Sequence, residues 1–197
     1  MLLLFIVLPL GSTVTLSTNV VVNNLFTING TFDPSTFTAS GAAGITIANG
    51  GTIKVNTTLF TDNFNFSGTK NAVAGSTVEY LRAGDQTISS LFTYSTLKIG
   101  GSGIKSLAAN LTNLRNTGAT FGNIQLNAGT FDMVGFTANR TSGGTAGGTL
   151  TLANGTTLKL SGANTKTYYK IKGITKSIIA SSFLKTYLQL LVILLPL

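Results

Sequence analysis

The 197-residue chain contains no histidine, no cysteine and no tryptophan. Without histidine there is no imidazole base for a Ser-His-Asp or Cys-His arrangement. Without cysteine there is no thiolate nucleophile, no thiolate metal site and no disulfide. Carboxylates are scarce as well: Asp33, Asp62, Glu79, Asp85 and Asp132 are all that the sequence holds. Charged residues make up 9%, against roughly 25% in an average soluble protein. In their place stand 32 Thr, 17 Asn, 16 Ser and 23 Gly. The polar surface is therefore built from small neutral side chains. Hydrophobic residues make up 43%, enough for the core of one ordinary domain.

The net charge is +8, a value that invites a nucleic-acid reading. Its distribution argues against one. Residues 1–165 carry eight basic and five acidic side chains, whereas 166–197 add Lys166, Lys170, Lys172, Lys176 and Lys185 with no acid. The basic residues of the main body are spread singly, and counterion release needs a clustered patch.

The two ends differ from the middle. Residues 1–10 are apolar from Leu2 to Leu10. They read as a degenerate secretory signal, as an internal start within a longer frame, or as a first buried strand. The run is too short to span a bilayer alone. Residues 166–197 lose the Gly and Asn of the middle and become basic, then strongly apolar. They read as non-native sequence from a shifted or truncated gene model, as a membrane anchor flanked by lysines, or as a structural cap. Contact with a membrane is expected only if this tail is genuine.

The middle, residues 11–165, repeats itself. Gly30-Thr-Phe-Asp33 recurs as Gly129-Thr-Phe-Asp132, each followed by Phe-Thr-Ala at Phe37–Ala39 and Phe136–Ala138. Ile45-Thr-Ile-Ala-Asn-Gly50 recurs as Leu150-Thr-Leu-Ala-Asn-Gly155, and both continue into Thr-apolar-Lys-apolar at Thr52–Val55 and Thr157–Leu160. Residues 28–58 and 126–160 thus read as two copies of one unit. Turn glycines precede short apolar–polar alternations, the pattern of half-buried strands. The spacing predicts strands at Ile45–Ile47, Ile53–Val55, Thr77–Tyr80, Thr96–Ile99, Asn123–Leu126, Thr149–Leu152 and Thr157–Leu160, with no helix in 11–165. Repeats of about 20 to 25 residues with three short strands suit an all-β, right-handed parallel β-solenoid (a β-helix), its strands stacked at about 4.8 Å. Tandem antiparallel β-sandwiches are the alternative.

The passage from Gly75-Ser-Thr-Val-Glu-Tyr80 through Asp85-Gln-Thr-Ile88, Leu97-Lys-Ile-Gly-Gly-Ser-Gly103 and Lys105-Ser-Leu-Ala-Ala-Asn110 to Leu126-Asn-Ala-Gly-Thr-Phe-Asp132 carries a resemblance. It resembles the β-strand-repeat, adhesin-like surface and secreted proteins of Bacteroidetes-type bacteria. That resemblance is one of repeat style. It implies a right-handed parallel β-helix, export to the cell surface, and repeats that are structural, so no functional residue carries over.

The sequence nominates no catalytic, cofactor-binding or metal-binding residue. Asp33 and Asp132 occupy equivalent repeat positions and read as structural Asx-type turn residues. Glu79 is the polar member of an alternation and is expected to face solvent. A glycosidase would need two facing carboxylates, and no pair stands out. Thr-x-Thr occurs at Thr13–Thr15, Thr36–Thr38 and Thr149–Thr151, without constant spacing, and suggests an ice-binding face as one alternative. Asn-x-Ser/Thr at Asn29, Asn56, Asn65, Asn110, Asn139 and Asn154 follows from composition. The glycine-rich stretch 143–148 lacks the Gly-Lys-Ser/Thr of a phosphate loop. The expectation is a non-enzymatic, exported repeat segment serving as a stalk or adhesion surface. Its partners would be extracellular glycans or cell surfaces, met through faces of Thr, Ser, Asn and an occasional Tyr. An ice-binding solenoid and a polysaccharide-active β-helix enzyme are the alternatives.

Overall fold

The alternation seen in the sequence becomes strand geometry directly. In Thr52–Val55, Ile53 and Val55 are fully buried while Thr52 and Lys54 lie on the other face. The same in–out pattern holds at Thr77–Tyr80, Thr96–Ile99, Asn123–Leu126 and Thr157–Leu160. The computed structural model describes residues 5–115, 122–140, 148–160, 171–172 and 178–180. Each of the seven strands expected from the sequence is present, with its start within one residue of the expected one.

The described residues form an all-β structure in which every strand pair is parallel. That leaves no place for antiparallel sandwiches. Parallel neighbours cannot be joined by a hairpin, so the chain must leave each sheet and come back. Within each sheet the strands follow one another in sequence order. The largest sheet has eight strands, in sequence order: Thr13–Thr15, Thr31–Asp33, Thr52–Val55, Thr77–Tyr80, Thr96–Ile99, Asn123–Leu126, Leu150–Leu152 and Ile171–Lys172. A four-stranded sheet holds Phe5–Leu8, Leu25–Ile28, Gly44–Ile47 and Lys70–Ala72. A five-stranded sheet holds Gln86–Ile88, Ile104–Leu107, Thr130–Asp132, Thr157–Leu160 and Ile178–Ala180. Val20–Val21, Ala39–Gly41 and Phe64–Phe66 form a three-stranded sheet, and Leu111–Leu114 with Ala138–Arg140 a two-stranded one. Phe5–Leu8, within the apolar start, is thus a strand paired with Leu25–Ile28. Two short segments of the tail, Ile171–Lys172 and Ile178–Ala180, extend the eight- and five-stranded sheets. The rest of the tail lies outside the described residues.

The two sequence copies fold alike but on different sheets. In the first, Leu25–Ile28, Thr31–Asp33 and Ala39–Gly41 lie in the four-, eight- and three-stranded sheets. In the second, Asn123–Leu126, Thr130–Asp132 and Ala138–Arg140 lie in the eight-, five- and two-stranded sheets. The following pair of strands shifts the same way: Gly44–Ile47 and Thr52–Val55 against Leu150–Leu152 and Thr157–Leu160. The second copy has advanced by one sheet.

Inward side chains form a single core. An aromatic series runs through it: Phe66–Phe26 at 5.5 Å, Phe26–Phe32 at 4.9 Å, Phe32–Phe64 at 5.9 Å, Phe64–Phe60 at 5.1 Å, Phe60–Phe92 at 5.2 Å and Phe92–Tyr94 at 5.9 Å between ring centroids. Offset and edge-to-face contacts of this kind add to the area they bury. One expectation is corrected here. Phe60–Asn63 is a single helical turn within the region where no helix was expected. Propensity did not signal it, because tertiary anchors hold it. Phe60 and Asn63 are buried, and the Asp62 carboxylate accepts the Leu59 N–H at 3.2 Å. Asn63 cross-links neighbouring repeats, accepting from the N–H groups of Asn56 and Thr57 and donating to the carbonyls of Ser35 and Phe37.

Glycine is required at the turns for two separate reasons. Gly75 has φ +84°, a left-handed value that costs other residues energy. Gly51 has no room for a side chain, since a Cβ there would lie 2.1 Å from the Ile28 carbonyl oxygen.

Candidate functional site

The outward face of the eight-stranded sheet, the largest sheet among the described residues, is a regular surface. Parallel pairing in register sets Thr13 beside Thr31, Thr31 beside Thr52, Thr52 beside Thr77, and Thr77 beside Thr96. Five threonines therefore stand in one column at the strand spacing of about 4.8 Å. Asn123 continues the column, and its side-chain oxygen accepts from the Thr149 N–H at 2.9 Å and faces the Thr149 hydroxyl at 3.2 Å. The sequence search for Thr-x-Thr missed this ladder. Apart from Thr13, its threonines are outside any Thr-x-Thr pair; each opens a strand, and neighbours lie 18 to 25 positions apart, so only the register aligns them. Of the three Thr-x-Thr pairs, Thr13–Thr15 is the first strand of this sheet, Thr149–Thr151 runs into its strand Leu150–Leu152, and Thr36–Thr38 lies in the turn before Ala39–Gly41.

Beside the threonines runs a column of alternating charge: Asp33, Lys54, Glu79, Lys98. Lys54 Nζ lies 3.1 Å from Asp33 Oδ2, and Lys98 Nζ lies 3.0 Å from Glu79 Oε1. Glu79 is thus on the outward face as expected, held by a lysine of the next strand. From Asp33 to Lys98 the column is polar and neutral, and Gln125, Thr151 and Lys172 continue it in register.

The five acids are kept apart by structural duties. Asp33 Oδ1 accepts from the Ser35 N–H at 2.8 Å, and Asp132 Oδ1 accepts from the Val134 N–H at 2.8 Å. Both are the Asx-type turns expected from the repeat. Each is followed by a non-glycine residue in the left-handed region, Ser35 at φ +52° and Val134 at φ +49°. The copies also share an ion pair, Asp33–Lys54 and Asp132–Lys159, the latter at 2.8 Å. Asp85 Oδ1 accepts from the Ile104 N–H. Among the described residues no group of three or more Asp and Glu is placed to hold a metal ion.

Basic side chains are likewise engaged with the protein itself. Lys70 donates to the carbonyls of Phe66 and Gly68, Arg82 to that of Asp85, and Arg115 to that of Ala72. Lys105 is the most committed. It is fully buried, and its ammonium donates to the carbonyls of Arg82 at 2.9 Å, Gly84 at 2.5 Å and Ser102 at 2.6 Å. Burial holds it below the usual lysine range, Asp85 opposes that shift and Arg82 adds to it. The sequence did carry a signal: Lys105 shares the parity of Leu107 in Ile104–Leu107, so it points inward.

Tyr168, Tyr169 and Tyr187 lie outside the described residues; among the described residues, Tyr80 and Tyr94 are both fully buried, so neither stands on a binding face. Their hydroxyls sit 3.2 Å apart around Ser89, whose carbonyl accepts from Tyr94 and whose N–H donates to Tyr80 at 2.9 Å. Because the Tyr94 proton is used on Ser89, the Tyr80 hydroxyl donates to Tyr94. Burial pushes the Tyr80 phenol up to about 12 and holds Tyr94 well above the ordinary value. The glycine-rich residues 143–147 lie outside the described residues. No protein-family model, no curated protein and no solved structure matches the chain.

Proposed function

We propose that the chain is a right-handed parallel β-solenoid segment of an exported bacterial surface protein, acting as a stalk and adhesion face and not as an enzyme. Parallel strands that return in sequence order support the solenoid, and crossovers between parallel strands are right-handed in about 98% of cases. The observation that carries the adhesive role is the registered threonine column beside self-neutralised ion pairs. Such a face offers evenly spaced hydroxyl donors and acceptors beside paired charges. That suits a linear, hydroxyl-rich glycan and gives nucleic acid no phosphate clamp. Acids committed to turns and ion pairs support the non-enzymatic reading.

The test is binding of the full chain to a panel of neutral polysaccharides, beside a Thr52→Val, Thr77→Val double variant. These substitutions keep strand shape and remove two adjacent hydroxyls. Binding by the wild-type chain that falls at least fivefold in the variant is the expected result. A wild-type chain that retains none of the panel refutes the adhesion face. The same column favours a second reading, ice binding, in which threonine hydroxyls order water. Thermal hysteresis by the wild-type chain, lost in the double variant, would establish it, and the adjacent Asp33–Lys98 charge column weighs against it.

A further inference from the structure

Asp33–Pro34 is the one peptide bond in the sequence where an acid precedes a proline, and the fold gathers reactive groups around it. The proline nitrogen carries no hydrogen, so no ladder hydrogen bond holds this peptide. As a secondary amine it leaves an acyl carbon readily once it takes a proton. The Asp33 carbonyl oxygen accepts from the Leu16 N–H of the preceding repeat at 2.9 Å, which draws electrons from the carbonyl carbon. The Asp33 carboxylate is pinned beside that carbonyl, since Oδ1 accepts from the Ser35 N–H and from Asn56 Nδ2, both at 2.8 Å. From the following repeat, Lys54 Nζ stands 3.1 Å from Asp33 Oδ2. Just past the bond, Ser35 is held at φ +52°, a strained value for a residue with a side chain.

We propose that this site exchanges the Asp33–Pro34 peptide bond for an amide between the Asp33 and Lys54 side chains, a self-modification that ties neighbouring repeats together. A carboxylate oxygen of Asp33 attacks the Asp33 carbonyl carbon and closes a cyclic anhydride. The bond to the Pro34 nitrogen breaks, and that nitrogen takes a proton from the Lys54 ammonium. The neutral Lys54 amine then attacks Cγ of the anhydride. The main-chain carboxylate of Asp33 leaves, and the proton lost from the new amide nitrogen passes to Pro34. One amide is broken and one is made, with no water, oxidant or other reactant, so the mass of the chain is unchanged. Tension along Thr31–Asp33 then passes straight to the adjacent strand Thr52–Val55 and bypasses residues 34–53.

The second copy of the repeat is an internal control. Asp132 and Lys159 lie 2.8 Å apart and Asp132 makes the same turn, but residue 133 is methionine. Its N–H donates to the Lys159 carbonyl at 3.0 Å, which ties that peptide into the ladder. No exchange is expected there.

The test incubates the full chain in mildly acidic to neutral buffer, then denatures it for intact-mass measurement and for mapping of new α-amines and cross-linked peptides. The expected product keeps the 20.4-kDa mass, has gained an N-terminus at Pro34, and yields a peptide joining Asp33 to Lys54. Lys54→Arg keeps the ion pair but supplies no amine, so water opens the anhydride and residues 1–33 separate from 34–197 on denaturation. Pro34→Ala should lower the yield at least tenfold with unchanged circular dichroism. A wild-type chain with no terminus at Pro34, or one cleaved there without the cross-link, would overturn the proposal. So would equal exchange at Asp132–Met133, an undiminished yield in Pro34→Ala, or an equal yield of cross-link in urea. This test is independent of glycan or ice binding.

Discussion

Val134 shows how a single residue stores cost in this fold. A β-branched side chain at φ +49° is strained, and the Asp132 carboxylate holds the Val134 N–H in that geometry. Replacing Val134 with glycine is expected to raise stability by about 1 kcal/mol, read from chemical denaturation. Lys105 is the opposite case. Its ammonium satisfies three carbonyls in the interior, so Lys105→Met should cost about 2–3 kcal/mol through the carbonyls it abandons. The buried tyrosines set the alkaline limit. An unfolded tyrosine ionises near 10, whereas Tyr80 resists to about 12. Between those values the native state holds more protons, and stability falls as pH rises, by up to about 1.4 kcal/mol per pH unit for each such tyrosine. Denaturation midpoints between pH 9 and 12 should therefore drop less steeply in Tyr80→Phe than in the wild type.

At the scale of the strand, burial and charge contribute unequally. Ile53 is fully buried on the third strand of the eight-stranded sheet, and Ile53→Ala should cost about 2–5 kcal/mol. On the opposite face of the same strand, Lys54 pairs with Asp33, but both remain partly exposed, with side-chain exposures of 29% and 20%. A double-mutant cycle on that pair should give less than about 1 kcal/mol. The alternation that makes Ile53 inward and Lys54 outward was legible in the sequence. Phe64–Phe66, Lys70–Ala72 and Gln86–Ile88 were not. Lys70–Ala72 presents one short apolar residue, and Gln86 is a buried polar residue whose amide donates to the Val55 and Thr57 carbonyls while its oxygen accepts from Arg82. Those strands exist because a neighbouring repeat supplies partners that local pattern cannot reveal.

Over the whole molecule, stability is expected to vary with position along the stack. In repeat architectures each unit rests on its neighbours, so end units open first. Amide exchange should be slowest in Thr52–Val55 and Thr77–Tyr80, which are paired on both sides, and fastest in Thr13–Thr15, which is paired on one. The duplicated unit adds a second feature at this scale. Its copies keep the same turn and ion pair while occupying different sheets, so the sheets offer equivalent environments to one sequence.

The amino-acid sequence alone determined that this chain is a β-repeat structure of short strands and tight turns. Period-two alternation, turn glycines and the two long copies are local properties, and local backbone preference suffices to read them. It also determined what the protein lacks chemically, since side chains that are absent cannot be supplied by folding. Only the tertiary structure decided which sheet each strand joins and therefore which residues share a face. The threonine column arises from register between residues 18 to 25 positions apart, the carbonyl cage around Lys105 reaches back 23 positions to Arg82, and the inward tyrosines meet across 14 positions. Register depends on the length of each intervening turn and on how its side chains pack, and neither follows from the strand pattern itself.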